Sequence, residues 1–301
     1  MKAFASLIAA IREEGSAALV SVAAADGSAP REKGARMIVR PSGAFQGTIG
    51  GGALEWQAMA EARAALERGR GPAERRRQAL GPNLGQCCGG RVELTLETFD
   101  GRDLAELERL AQAEARGPFA TRTLAVADGR LAREIARPGE RGALERFGED
   151  ETPLLLFGAG HVGRALALAL APLPFSVRWI DPRDEAFPRF VPANAQPVAA
   201  SDPVAELDAA PDGALVAIMT HSHPLDLAIT ARALAAERFG YVGLIGSATK
   251  RARFSSQMRA AGLTEAALDR LVCPIGAPGI KGKEPAVIAA GVAVQLLQAR
   301  S

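Results

Sequence analysis

The segment LLLFGAGHVGRALALAL, residues 154–170, constrains the fold more than any other part of the chain. A short, continuous run of bulky apolar residues reads as a parallel strand buried on both faces. Gly158-Ala159-Gly160-His161-Val162-Gly163 follows at once, and the remainder has helical character. Strand, glycine turn and helix in immediate succession indicate a βαβ unit at the start of a doubly wound, Rossmann-like sheet. Glycines suit such a turn because backbone N–H groups at a helix N-terminus can then approach a phosphate with no Cβ between them. They equally suit tight strand-to-helix packing, and the sequence leaves both uses open. Asp181 ends the next apolar run, SVRWID, where a carboxylate can accept hydrogen bonds from ribose hydroxyls or another polar ring. His161 lies inside the glycine loop and reads as a helix cap, a phosphate donor or a ligand.

The same alternation continues to the C-terminus. GALVAIMT and YVGLI are further compact apolar runs, and helical stretches are expected at residues 161–171, 224–236 and 247–260. A last helix begins at Pro285 and runs through AVIAAGVAVQLL. Thr220-His221-Ser222-His223-Pro224-Leu225-Asp226 falls at the carboxyl end of a predicted strand, the edge where ligands of open α/β sheets bind. Its HxH spacing is similar to that of dinuclear zinc hydrolases, although the aspartate stands one position late. The plainer alternative is that Ser222 or His223 caps a helix. His161, His221 and His223 are the three histidines of the chain, and all are predicted at strand ends on this edge. Gly246 opens another strand-to-helix turn, with Lys250 in the first turns of its helix. A cation there opposes the helix dipole unless an anion lies between them. Lys281 and Lys283 sit in the glycine-rich IGAPGIKGK before the last helix.

The first half reads as a smaller α+β domain. It has an opening helix over 3–14, strands over 17–24, 35–40 and 91–99, helices over 54–68 and 103–115, and a hairpin turn at Asp128-Gly129. Gly50, Gly51 and Gly52 precede the second helix and form a nest of backbone donors suited to an oxyanion. Cys87 and Cys88 lie between glycines just before a strand, where an open backbone can lower a thiol pKa and admit a soft metal centre. Burial as a small apolar residue is the alternative for each thiol. The charged, turn-rich stretch around 138–152 is the expected linker, giving domains of 1–137 and 153–301.

Composition narrows the function classes. A formal net charge of +2, with neither half strongly basic, argues against nucleic acid as a partner. No run of about 18 apolar residues offers a membrane span. The N-terminal MKAFASLIAAIREEG is broken by Arg12, Glu13 and Glu14 before any small-residue cleavage site, so a cytoplasmic location is expected. Three cysteines with no CxxC spacing suit neither a disulfide framework nor structural zinc. Lys33, Lys250, Lys281 and Lys283, four of the five lysines, stand beside glycine-rich motifs.

Taken in order, ALVSV with DGSAPREKGARMIV, GTIGGGALE, GQCCGGRVEL, LLLFGAGHVG, WIDPR, THSHPLD, YVGLIGSATKR and IGAPGIKGKEPAVIA resemble the XdhC/CoxI family of molybdenum cofactor maturation proteins. The resemblance spans nearly the whole chain and is closest to the XdhC branch. It implies an accessory protein, not an enzyme, that binds the sulfurated molybdopterin cofactor, protects it and inserts it into xanthine dehydrogenase. The implied partners are the molybdenum subunit of that enzyme and a cysteine desulfurase as sulfur donor, with a homodimer as one option for assembly. Cofactor contacts are expected at Cys88, which would also face the metal, at Gly50, Gly51 and Gly52, at Gly158, Gly160, His161, Gly163 and Asp181, at His221 and His223, and at Gly246, Lys250 and Lys281. Ala53 stands where many relatives carry cysteine, which leaves Cys87 and Cys88 as the N-terminal thiols. Two other readings of the residues remain: an NAD(P)-dependent oxidoreductase with Asp181 on the ribose, and an adaptor whose Rossmann domain is a relic.

Overall fold

The computed structural model describes residues 2–80, 89–148 and 150–300. The chain forms two compact units, residues 1–150 and 151–301.

The first unit is built on a five-stranded antiparallel sheet, in the order β3-β2-β1-β5-β4. Its strands are β1 (Ser16–Asp26), β2 (Arg36–Val39), β3 (Phe45–Gly47), β4 (Glu74–Ala79) and β5 (Arg91–Asp100). The period of two along β1 divides its side chains between two cores. Ala18, Val20 and Val22 pack with Leu54, Ala58 and Ala62 of helix α2 (Gly52–Arg68). Ala17 and Leu19 face the other way, onto Phe4, Leu7 and Ile11 of α1 (Ala3–Glu14) and Leu107 and Leu110 of α3 (Leu104–Ala115). The strand β4, with the sequence ERRRQA, has no apolar pattern and escapes a reading by periodicity. It forms because it is an edge strand, where charged side chains stay in water and guard against further pairing.

A second, three-stranded antiparallel sheet, β7-β6-β8, consists of β6 (Phe119–Ala125), β7 (Leu131–Ile135) and β8 (Leu144–Phe147). Strand β8 corrects the expected linker: residues 144–147 pair with β6, and the division between the units falls after Asp150. Its single strong apolar anchor, Phe147, is buried against Phe4 and Phe119, with ring centroids 4.4 and 5.8 Å away. One anchor in a charged run leaves no periodicity to read.

Buried charge joins the two sheets. Arg133 of β7 is 4% exposed and grips Glu97 of β5 through Nη1–Oε1 and Nη2–Oε2 contacts of 2.9 and 2.5 Å. Its Nε also donates to Glu145 of β8 at 3.0 Å, and Arg36 of β2 donates to the other oxygen of Glu145 at 3.1 Å. Burial alone would raise the Glu145 pKa, but the two guanidinium groups outweigh it and hold the carboxyl below its ordinary range. Removing one member of such a network strands the others without water. Arg133→Met should therefore destabilise the first unit by about 3–5 kcal/mol, whereas adding Glu97→Leu should recover part of the loss. Urea unfolding followed by amide exchange in β5 and β7 measures this, with Trp179 fluorescence, in a Trp56→Phe background, reporting the second unit in the same sample. Equal losses in the single and double variants would contradict the account.

The second unit has a six-stranded parallel sheet in the order β11-β10-β9-β12-β13-β14. The strands are β9 (Thr152–Phe157), β10 (Phe175–Asp181), β11 (Ala195–Ala199), β12 (Leu215–Ile218), β13 (Tyr241–Leu244) and β14 (Leu271–Val272). Numbered within the unit this is 3-2-1-4-5-6, the doubly wound Rossmann order. Helices α4 (His161–Leu170) and α8 (Pro285–Ala299) share one core with Leu154, Leu156, Val177 and Trp179. On the opposite face α5 (His223–Ala235), α6 (Ala248–Ala260) and α7 (Glu265–Asp269) pack with Leu155, Phe157, Val216 and Ile218. Burial on both faces is why these strands read as continuous apolar runs. The two sheet edges were less legible: β11 contains Pro197, tolerated at an edge, and β14 has only two residues.

Candidate functional site

The chain leaves β9 and returns in β10 and β11 on one side, then crosses to β12 on the other. The carboxyl ends of β9 and β12 thus flank the topological switch point, where a crevice opens above an open α/β sheet. Both predicted motifs, the glycine loop at 158–163 and the histidine loop at 220–226, lie there.

The three glycines of the first loop serve different ends. Gly158 has φ +112°, and a Cβ on it would lie 2.3 Å from the Met219 carbonyl oxygen. A Cβ on Gly163 would lie 2.0 Å from the Gly158 oxygen, which already accepts a 3.0 Å bond from the buried Trp179 indole. These two positions are closed to any side chain by the protein's own backbone. Gly160 differs: its φ is −74°, open to any residue, and nothing lies within 4 Å of the Cβ position. It caps the N-terminus of α4, whose first internal bond is Arg164 N–H to the Gly160 carbonyl. The N–H groups of the first turn therefore lack intrahelical acceptors and point at the open space. His161 follows in the first turn, exposed and with no side-chain hydrogen bond among the described residues.

Asp181 is not placed as expected. It is 1% exposed, and its oxygens are occupied by the protein. Oδ2 accepts from Ala159 N–H at 2.8 Å and Arg183 Nη2 at 3.0 Å, while Oδ1 accepts from Arg183 N–H and Nε at 3.0 and 2.9 Å. Four donors use the acceptor capacity of a carboxylate, so Asp181 fastens the glycine loop to β10 instead of offering an oxygen to a ligand. Burial pushes its pKa up, but the Arg183 and backbone bonds prevail and the carboxyl ionises below its ordinary range.

At the end of β12, Ser222 accepts from Leu225 N–H at 3.4 Å and caps α5, as its sequence position allowed. His221 and His223 are exposed beside it, and His223 Nδ1 lies 3.4 Å from an Arg253 nitrogen. Among the described residues, no three His, Cys, Asp or Glu side chains are grouped to hold a metal ion. The aspartate of the motif, Asp226, is fully buried and structural. It accepts from the Thr220 hydroxyl at 2.7 Å and Thr220 N–H at 3.1 Å, and its other oxygen accepts from Lys250 Nζ at 2.6 Å. The anion expected near Lys250 is therefore a carboxylate of the chain itself. Lys250 also donates to the Ile245 carbonyl at 2.9 Å, and its stem crowds Gly246, where a Cβ would meet Lys250 Cδ at 2.8 Å. Sequence reading missed this pair because its members are 24 residues apart on different helices. Lys281 is exposed in the loop before α8, which is tied to that helix by Ala277 N–H to the Gly291 carbonyl at 2.9 Å.

The triple glycine of the first unit also meets a carboxylate of its own. Glu55 Oε2 accepts from the Thr48 hydroxyl at 2.5 Å, Ile49 N–H at 3.1 Å and Gly51 N–H at 3.2 Å. Gly50 is packed against Pro30, 2.7 Å from where its Cβ would be, and Gly52 begins α2 with φ +63°. The oxyanion for which the nest is suited is thus supplied one helical turn away in the same chain. Cys87 and Cys88 lie outside the described residues. Cys273 is buried in the core of the second unit, 4% exposed, with its thiol pKa raised by burial.

Asp181→Asn tests the role given to that carboxylate. An amide offers one acceptor oxygen and presents its own donors to Arg183 and Ala159, so a loss of about 1.5–3 kcal/mol is expected. The stabilisation by Asp181 is complete above the unfolded-state carboxyl pKa and is lost as pH falls through the lower folded-state value. In urea titrations read by Trp179 fluorescence, the gap between wild type and variant should accordingly close on acidification. A gap that is constant with pH would exclude this role.

Two family models match the chain. Residues 154–296 match the XdhC Rossmann domain, and residues 10–76 match the XdhC and CoxI family. The chain is 26% identical over 290 residues to YqeB of Escherichia coli (strain K12), an uncharacterized protein. That alignment covers 94% of this chain and 43% of YqeB, so the chain spans less than half the length of that relative. A crystal structure described as a xanthine dehydrogenase from Bacillus halodurans superposes with a TM-score of 0.77 at 19% identity. It covers 100% of this chain and 96% of the other, a likeness of fold. With a family match in each half and a 3-2-1-4-5-6 sheet in the second unit, the chain belongs to the XdhC/CoxI family.

Proposed function

We propose that this protein serves xanthine dehydrogenase maturation as a carrier: it binds molybdenum cofactor in its sulfurated form, shields it, and passes it to the molybdenum subunit of the dehydrogenase. The observation that carries the reading is Gly160. It is the one glycine of the loop that neither backbone conformation nor protein packing requires, and it stands at a helix N-terminus with donors to spare. A terminal phosphate is the part of the cofactor that such a cradle fits. The dithiolene-held metal centre is cargo, and the chain's task toward it is to hold and release. His161, His221, His223 and Lys281 are exposed polar groups of the second unit able to meet the pterin or its phosphate, and Cys88 is the thiol proposed to face the metal. A cysteine desulfurase as sulfur donor, a homodimer and a cytoplasmic location belong to the same proposal.

The geometry also shortens the expected contact set. Asp181, Lys250 and Gly51 are engaged by partners within the chain and act by shaping the loops that bear the binding groups. The occupied Asp181 weighs against the oxidoreductase reading, which needs a free carboxylate for the ribose.

Gly160→Val places a branched side chain in the cradle and should lower cofactor affinity at least tenfold, about 1.4 kcal/mol or more, with unchanged Trp179 fluorescence and unfolding midpoint. Cofactor retained after desalting, and activation of apo-dehydrogenase by the loaded protein, are the measurements. Wild-type retention by the variant would reduce all three glycines to packing roles. Cys88→Ala should reduce retention or insertion with the fold intact, Cys273→Ala being the packing control. Delivery unchanged by Cys88→Ala would remove the thiol from the mechanism.

A further inference from the structure

Within the first unit, a cavity of about 410 Å³ lies between the five-stranded and three-stranded sheets, within the usual size range of small-molecule sites. Its floor comes from the polar continuation of the β1 face that carries Ala17 and Leu19. On β1 and β5, Ser21 is paired in register with Thr95, and on β2 the register partner of Ser21 is Arg36. Ser21 is 5% exposed, and its hydroxyl has no hydrogen-bond partner; Arg36 Nε, on the neighbouring strand, is likewise buried and unpartnered. Two orphaned polar atoms side by side are an expensive arrangement in a sheet interior. Val or Ala at position 21 would avoid half of that cost.

The charges of the cavity separate into two sets. Arg133, Glu97 and Glu145 line the wall, but they satisfy one another and Arg36, so they are neutral as a group. At the mouth, Lys33 and Arg146 are exposed and have no ion-pair partner among the described residues. Arg75 adds a third cation, with only a distant contact of 4.0 Å to Glu93. Leu131 and Leu144 supply apolar wall between mouth and floor.

We infer that this cavity binds a small organic anion, its carboxylate or phosphate held at the mouth by Lys33, its body against Leu131 and Leu144, and a hydrogen-bonding group satisfying Ser21 on the floor. Its lining residues all belong to the first unit, and the inference does not depend on the carrier reading.

The test uses the full chain and three probes titrated by calorimetry: 4-hydroxybenzoate, guanosine 5′-monophosphate and inorganic phosphate. At least one of the two organic anions should bind saturably, and more tightly than inorganic phosphate. Ser21→Ala should weaken that binding about fivefold, as expected for one neutral hydrogen bond, while the ligand-free variant melts at the same temperature as wild type or higher. Lys33→Gln, a surface change with no packing role, should weaken it about tenfold. Gly160→Val should leave it unchanged. Absence of binding by both organic anions overturns the inference, as does affinity insensitive to both Ser21→Ala and Lys33→Gln. Phosphate binding as tightly as either organic anion would mean attraction to the cationic mouth alone, and loss in Gly160→Val would place the ligand in the second unit; either result rejects the site.

Discussion

The second unit depends on a backbone approach that admits no Cβ. Gly163, in the first turn of α4, sits on the carbonyl oxygen of Gly158, and Gly158 in turn sits on the carbonyl of Met219 at the end of β12. This stack holds the first helix, the first strand and the crossed-over fourth strand at one point. Methyl groups at either glycine would force the loops apart and expose the Trp179 indole, which donates to the same Gly158 oxygen. The two loops meet where the strand order reverses, the place where open α/β sheets bind ligands.

In each unit, carboxylates beside the motif loops are taken up by donors of the chain itself. Asp181 ties Ala159 to Arg183, Asp226 ties Thr220 to Lys250, and Glu55 fills the nest before α2. In each case a carboxylate satisfies backbone N–H groups that a turn or helix start leaves without acceptors. Rigidity results, since each loop is held by several bonds to one buried anion. What remains unspent is informative for the same reason. The open cradle at Gly160, the His161 side chain, and the Ser21 hydroxyl and Arg36 Nε of the first unit are among the described groups for which the chain provides no hydrogen-bond partner.

The first unit shows a different economy. Its sheet is apolar on the α2 face and over half of the other, then turns polar where the small sheet covers it. Arg133, with its two carboxylates, joins the sheets where an all-apolar interface would have closed the space. Such a network is seldom more stabilising than well-packed hydrophobic residues. Its effect here is to keep a polar cavity between two sheets.

The sequence by itself determined the parts that rest on local patterns. Alternating apolar faces, continuous apolar strands, the turn glycines at Gly129 and Gly158, and Pro285 at a helix start each state their structure within a few residues, so the two-unit α/β architecture and the glycine loop were legible. Strands with charged or irregular composition, β4, β8 and β11, were not, because pairing with a neighbour supplies their order. Tertiary structure alone decided which polar groups are free. Asp181 and Lys250 carry the residue types of ligand contacts, yet folding brings Arg183 and Ala159 to one and Asp226 to the other, and a hydrogen bond once made within the chain is unavailable to a ligand. Ser21 gave no sign in sequence, since a serine in a strand is ordinary until every neighbour that might have bonded it is seen to be turned elsewhere.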